Sequence, residues 1–264
     1  MHASINDINA KAVYPQCAIP GQYAAPSPQP QENRLLGSLP AAVQERLFPY
    51  LDLVPLPLGK SLYEPRSTMR HVYFPVDCIV SLMYVTKVGQ SAEISVVGND
   101  GVVGIPLLMG GDSMPGSAVV QSAGTAYRLS GQRIKVEINR HGELLSLMLR
   151  YTQSLITQIA QTAVCNRHHS IDQQLCRWLL VSLDRRNGSV LFMTQELIAN
   201  MLGVRREGVT DAAGKLQKLK VIKYKRGRIK VLNRPRLEQL SCDCYWAVKE
   251  ETDRLMPTTN KACS

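Results

Sequence analysis

Arg206 and Glu207, with Thr210 and Asp211 one turn further on, place four hydrogen-bonding side chains on one flank of a predicted helix, in the stretch VRREGVTDAAGKLQ. A guanidinium presents two donors that match the two acceptors on the edge of guanine, and a carboxylate accepts from the amino group of cytosine. Arg206 is therefore the principal candidate for reading a base. Glu207 and Asp211 can accept from cytosine, and Thr210 can touch a thymine methyl or a phosphate. Arg205, just ahead of the helix, is positioned to hold a phosphate. Further on, Ile222, Tyr224, Ile229 and Val231 alternate with Lys223, Lys225 and Lys230 around Arg226 and Gly227, which reads as a two-stranded wing. The cations at its tip, Lys225, Arg226 and Arg228, suit phosphates and would give affinity with little sequence information.

Two helices must hold these groups. Thr194 can cap the first by accepting from a free amide of its opening turn, and Leu197, Ile198, Met201 and Leu202 then share one face. Gly203 ends that helix. In the second, Val209, Ala212, Ala213, Leu216 and Leu219 recur at helical spacing and leave Arg206, Glu207, Thr210 and Asp211 outward. This is helix-turn-helix spacing, in which the second helix enters the major groove and the first crosses the backbone. Amides near Thr194 and Gln195 can then donate to a phosphate. Gly208 and Gly214 are discordant, each costing about 1 kcal/mol in a helix relative to alanine. They either let the helix approach DNA closely or soften it.

The charge distribution agrees with this reading. The chain of 264 residues carries a net charge of +10, and Arg205 to Arg236 alone holds 12 basic and 2 acidic residues, the same excess. A basic stripe confined to one unit suits a phosphate backbone, whereas a merely solvated face usually interleaves both signs. No apolar run reaches the roughly 18 residues of a membrane helix, and the opening MHASINDINAK has no export signal, so a cytoplasmic location is expected. No nucleophile and base pair, phosphate loop or metal motif argues for an enzyme.

The rest of the chain supplies context. Residues 1–33, rich in Pro, Gln and Ser, read as a disordered tail, and a short helical pattern runs from Arg34 to Leu53. Between Lys60 and Ile134 come strand-length segments, His71 to Phe74, Ile79 to Val85, Ala92 to Val97, Ala118 to Gln121 and Thr125 to Leu129, broken by GNDG, MGGD and SAG. These imply a barrel or jelly roll. Glu143 to about Val164 is a long helix with two apolar stripes, Leu144, Met148, Tyr151 and Leu155 beside Leu145, Leu149, Ile156, Ile159 and Ala163. The second stripe packs either within the same chain or against a copy of it. The expected class is α+β, with a β-roll over 34–142, a long helix over 143–167, a winged helix-turn-helix over 168–238 and an extension over 239–264.

In this order of parts the chain resembles the Crp/Fnr family of bacterial transcription regulators. The resemblance rests on VYFPVDCIVSL (72–82), VVGNDGVVG (96–104), CNRHHSIDQQLCRWLL (165–180), MLGVRREGVTDAAGKLQ (201–217) and YKRGRIKVL (224–232). It implies a homodimer joined through the long helix, two reading helices in successive major grooves of a palindrome, and Arg206 and Glu207 on the family's base-reading pair. Asp211 falls where cyclic-AMP receptors of the family carry a second arginine, which implies a different operator. Those receptors hold the nucleotide with a Gly-Glu turn and an Arg-Ser-Ala segment. Here Gly104, Ser117 and Ala118 remain, but Ile105 stands for the acid and Gly116 for the arginine. Each lost charge-assisted bond is worth roughly 1.5 to 3 kcal/mol, so cyclic AMP is not expected to bind tightly.

The iron-sulfur branch of the family needs clustered N-terminal cysteines, where this chain offers Cys17. Cys242 and Cys244 form a CxC pair, and Cys165 lies near His168 and His169, but four convergent ligands at metal spacing are not visible. Reduced structural thiols, no cofactor and no metal are expected. Expected partners are double-stranded DNA, a second copy of the chain and RNA polymerase, with no membrane and an unknown effector. The competing reading is a small-ligand or protein-interaction module with a vestigial DNA-binding half, against which the basic stripe and the Arg206–Glu207 pair both speak.

Overall fold

The computed structural model describes residues 27–87, 90–186 and 188–256. Of the expected tail, residues 1–26 lie outside the described residues, but packing begins before Arg34. Asn33 is fully buried, donates to the carbonyls of Pro75 and Gly101 at 2.8 and 2.9 Å, and accepts from Leu36 N to cap the first helix. That helix, α1 (Arg34–Gly37), is separated from α2 (Ala41–Leu47) at Pro40, which stands at the N-cap of α2 and lacks an amide to continue the ladder. One predicted helix is thus two.

Seven strands follow: β1 (Asp52–Leu56), β2 (Ser61–Tyr63), β3 (His71–Pro75), β4 (Ile79–Val85), β5 (Ser91–Val97), β6 (Ser117–Ser122) and β7 (Gly124–Ser130). They pair antiparallel into two open sheets, β1-β7-β3 and β2-β6-β4-β5, so the roll is not a closed barrel. β1 escaped the sequence reading because Pro55 sits within it; as an edge strand it tolerates a residue that cannot donate. Leu56, Phe74 and Leu129 of one sheet meet Val80, Leu82 and Val120 of the other in one core. Two short helices, α3 (Ile105–Leu108) and α4 (Gly131–Ile138), complete this half.

The long helix α5 (Glu143–His168) runs four residues past its expected end, through Cys165. Leu144, Met148, Tyr151 and Leu155 are buried against the sheets. Of the second stripe, Leu149 and Ile156 are 61% and 60% exposed, so it does not close within the chain. Leu145, Leu149, Thr152, Ile156, Ile159 and Ala163 recur in alternating steps of four and three, the spacing of a coiled-coil seam.

Ser170 and Gln173 form a capping box that starts α6 (Ile171–Asp184). After β8 (Val190–Phe192) come α7 (Gln195–Leu202), α8 (Arg206–Lys218), β9 (Ile222–Lys225) and β10 (Arg228–Val231), then α9 (Arg234–Leu240) and α10 (Asp243–Leu255). α10 folds back on α5, where Ser154 and Thr252 share a hydrogen bond of 2.8 Å. Ile79 of β4 and Val96 of β5 belong to the core of this second half, beside Trp178, Leu202 and Leu216, while their neighbours Val80 and Val97 point into the first core. Successive strand residues face opposite sides, so these strands are covered on both, which accounts for the adjacent buried Ile79 and Val80 of β4. Among the described residues no helix is long and apolar enough to cross a membrane.

Candidate nucleic-acid interface

Thr194 caps α7 as its sequence suggests, accepting from Leu197 N at 3.2 Å, and Gly203 closes the helix in the left-handed conformation at φ 66°. α8 then buries Val209, Ala212, Ala213 and Leu216, while Leu219, expected on that face, is the exposed C-cap. Arg205, Arg206, Glu207, Thr210 and Asp211 are all exposed on one flank. Arg205 occupies the N-cap of α8 with no capping bond from its side chain, so first-turn amides remain open to an anion. Arg206 rests 4.0 Å from Glu196, a solvent-exposed pair that holds it only weakly. Thr210 donates to Gln195 at 2.9 Å and so ties α8 to the start of α7.

Gly208 points inward. A β-carbon there would stand 2.7 Å from Ile171 Cδ1, so this glycine lies at the close crossing of α8 over α6. Gly214 has open space around it. Lys215 pairs with Asp172 at 2.7 Å, and that hydrogen bond holds its ammonium above the ordinary lysine range.

β9 and β10 are joined by Arg226 and Gly227, both at positive φ (50° and 74°), with Lys225 and Arg228 paired across the turn. Two residues of that hand suit a type I′ hairpin, which normally favours Asn-Gly. An arginine held at positive φ places its charge at the tip against its own backbone preference. The wing is anchored by Met193 N donating to Gly227 O at 2.6 Å and by Tyr224 OH donating to Met193 O at 2.6 Å. The exposed α8 flank and this cationic tip both belong to the unit that begins with α6.

By family model, residues 173–240 match the Crp-like helix-turn-helix domain. These residues are similar to that domain, and the fold as a whole is similar to that of solved Crp/Fnr structures. FixK2 from Bradyrhizobium japonicum superposes with a TM-score of 0.63 at 16% identity, over 73% of this chain and 98% of its own. A CRP-family transcriptional regulator from Thermus thermophilus gives 0.59 at 15%, over 71% and 96%. The c-di-GMP-responsive global regulator CLP from Xanthomonas campestris gives 0.56 at 14%, over 73% and 99%. No curated protein matches the chain by sequence. At these identities the likeness is one of fold.

The Crp-like domain is docked on the four-stranded sheet by polar contacts that the sequence reading missed. Trp178 donates to Glu93, Arg185 pairs with Asp100 at 3.2 Å, and a β-carbon on Gly98 would stand 2.4 Å from Arg185 O. Burial of Glu93 raises its pKa to about 7. Elsewhere in the roll, Gly104 caps α3 at φ 109°, Ile105 is buried, and Ser117 and Ala118 are fully inside. A β-carbon at Gly116 would lie 2.8 Å from Met83 O, so an arginine does not fit there without moving the backbone.

The thiols of Cys165, Cys242 and Cys244, whose convergence is not visible in the sequence, lie with the His169 ring within 4.8 Å of one another. His168 turns outward and is not in the group. Each half of the group is a chelating spacing, C-x3-H and CxC, but 77 residues separate Cys165 from Cys242.

Proposed function

We propose that the chain is a homodimeric, sequence-specific transcription regulator that reads a palindromic duplex with α8 and grips the flanking phosphates with its wing. The observation that carries this reading is the exposed row of Arg206, Glu207, Thr210 and Asp211 beside a wing tip whose arginine is held at positive φ. Arg206 reads guanine, Glu207 and Asp211 accept from cytosine, and Thr210 touches a thymine methyl or a phosphate. Arg205, the amides at Thr194 and Gln195, and Lys225, Arg226 and Arg228 hold phosphates.

The seam of Leu149 and Ile156 on α5 supports a two-fold partner, which would set two reading helices one helical turn apart. The roll over 34–142 acts as the input half, α5 as its connector, and 168–238 as the output in the cytoplasm, in contact with RNA polymerase. The tight backbone at Gly116 and the buried Ile105 support an input half that does not take cyclic AMP.

Selection of bound duplexes from a random pool tests this reading. Recovery of a palindrome with half-site centres about 10 to 10.5 base pairs apart supports it. Recovery of no motif favours an interaction module with a vestigial DNA-binding half.

A further inference from the structure

We propose that Cys165, His169, Cys242 and Cys244 form a mononuclear Zn2+ site that fastens the end of the long helix to the turn between α9 and α10. Three thiols and one imidazole are the donor set of structural zinc. All four donor atoms lie within 4.8 Å of one another, with Cys165 Sγ 3.6 Å from Cys242 Sγ and Cys244 Sγ 3.5 Å from His169 Nδ1. At zinc bond lengths of roughly 2.0 to 2.3 Å, the edges of a tetrahedron come to roughly 3.5 to 3.8 Å, which these two pairs already satisfy. A polynuclear iron-sulfur cluster would hold its thiolates farther apart, so the spacing specifies a single ion. Soft thiolates exclude magnesium and calcium, and a four-coordinate mixed sulfur and nitrogen set favours zinc.

A second observation fixes the histidine. Its Nδ1 faces the sulfurs, while Nε2 lies 3.4 Å from Asp243 Oδ1 on the other side of the ring. Metal-bound imidazoles characteristically donate their remaining N–H to a carboxylate, which sets tautomer and ring orientation. Asp243 sits between the two cysteines of the CxC pair and is exposed, so the site reaches solvent along the histidine edge. Gln174 holds the backbone on the other flank, donating to His169 O at 2.9 Å. Cys165, Cys242 and Cys244 form a small buried cluster of their own, outside both large cores. An ordinary apolar filler would put carbon there.

The site joins the end of α5 to the start of α10. Cys165 and His169 bracket the junction of α5 with the Crp-like domain, and Cys242 and Cys244 start the helix that folds back on α5. An ion there restrains the angle at which the domain leaves the long helix, so its removal loosens the hinge.

The test is metal content of the full chain, purified under reducing conditions without added metal and exchanged into metal-free buffer. One zinc per chain is expected. Cys242→Ser with Cys244→Ser abolishes it, and Cys176→Ser, a buried thiol outside the group, does not. If the double variant fails to fold, wild-type protein stripped by chelator and titrated with Co2+ decides the matter. Saturation at one equivalent with the intense visible bands of tetrahedral cobalt thiolate, displaced by Zn2+, supports the site. A folded, reduced wild type holding neither zinc nor cobalt overturns it. So does a native Cys165–Cys242 disulfide, or zinc that persists in the folded double variant.

Discussion

Trp178 of α6 donates its indole N–H to Glu93 of β5 at 3.0 Å, deep in the junction between the sheets and the Crp-like domain. The other Glu93 oxygen lies 2.5 Å from Ser81 Oγ, which is also 3.1 Å from Gln121 Oε1. A hydroxyl has one proton to give. A protonated Glu93 that donates to Ser81, which donates to Gln121, satisfies the whole chain.

Stability should therefore depend on the proton of Glu93. Burial raises its pKa from 4.5 to about 7, so the native chain binds that proton more tightly than the unfolded one. The stabilisation is complete below about pH 4.5 and is lost as pH rises through about 7, on the order of 3 kcal/mol in all. Urea unfolding across this range should show a falling midpoint in the wild type and a flatter one in Glu93→Gln. Identical slopes in the two proteins would refute the assignment.

The two glycines of α8 should respond differently to alanine. Gly214→Ala, with open space around it, should gain about 1 kcal/mol from helix propensity. Gly208→Ala should gain none of it or lose, because Ile171 Cδ1 at 2.7 Å must move first. Thermal unfolding of the two variants side by side gives the order.

How much of this was legible in the sequence depended on how far apart the contributing residues lie. The helix-turn-helix was readable because its signals are local: Thr194 before an apolar face, Gly203 after it, and Val209, Ala212 and Leu216 at helical spacing. β1 was hidden by Pro55, and the break between α1 and α2 by a continuous apolar pattern across Pro40. The metal-type group was invisible because its two halves are brought together only when α10 folds back on α5. Gly208 looked like a defect in a helix until Ile171, from another helix, was found against it.

Arg226→Gly should separate affinity from fold. Glycine adopts the positive φ of this turn without strain, so the wing should be at least as stable. The lost phosphate contact should weaken binding to all duplexes alike and reduce the salt dependence by about one ion. Affinity and its salt slope on operator and random DNA provide the measurement.

Ile156→Asp should leave the chain folded and disrupt pairing of two copies. The side chain is 60% exposed, so the monomer loses little, while a seam with two facing carboxylates does not close. Sedimentation should show dimers for the wild type and monomers for the variant, with unchanged far-ultraviolet circular dichroism.

The most direct measurement is base preference with and without the Arg206 guanidinium. On a selected palindrome, the wild type should lose about 1 to 3 kcal/mol, roughly tenfold or more, when the guanine facing Arg206 is replaced. Arg206→Ala should bind more weakly and treat all four bases at that position nearly alike. If Arg206→Ala keeps the wild-type preference there, α8 does not read DNA as described.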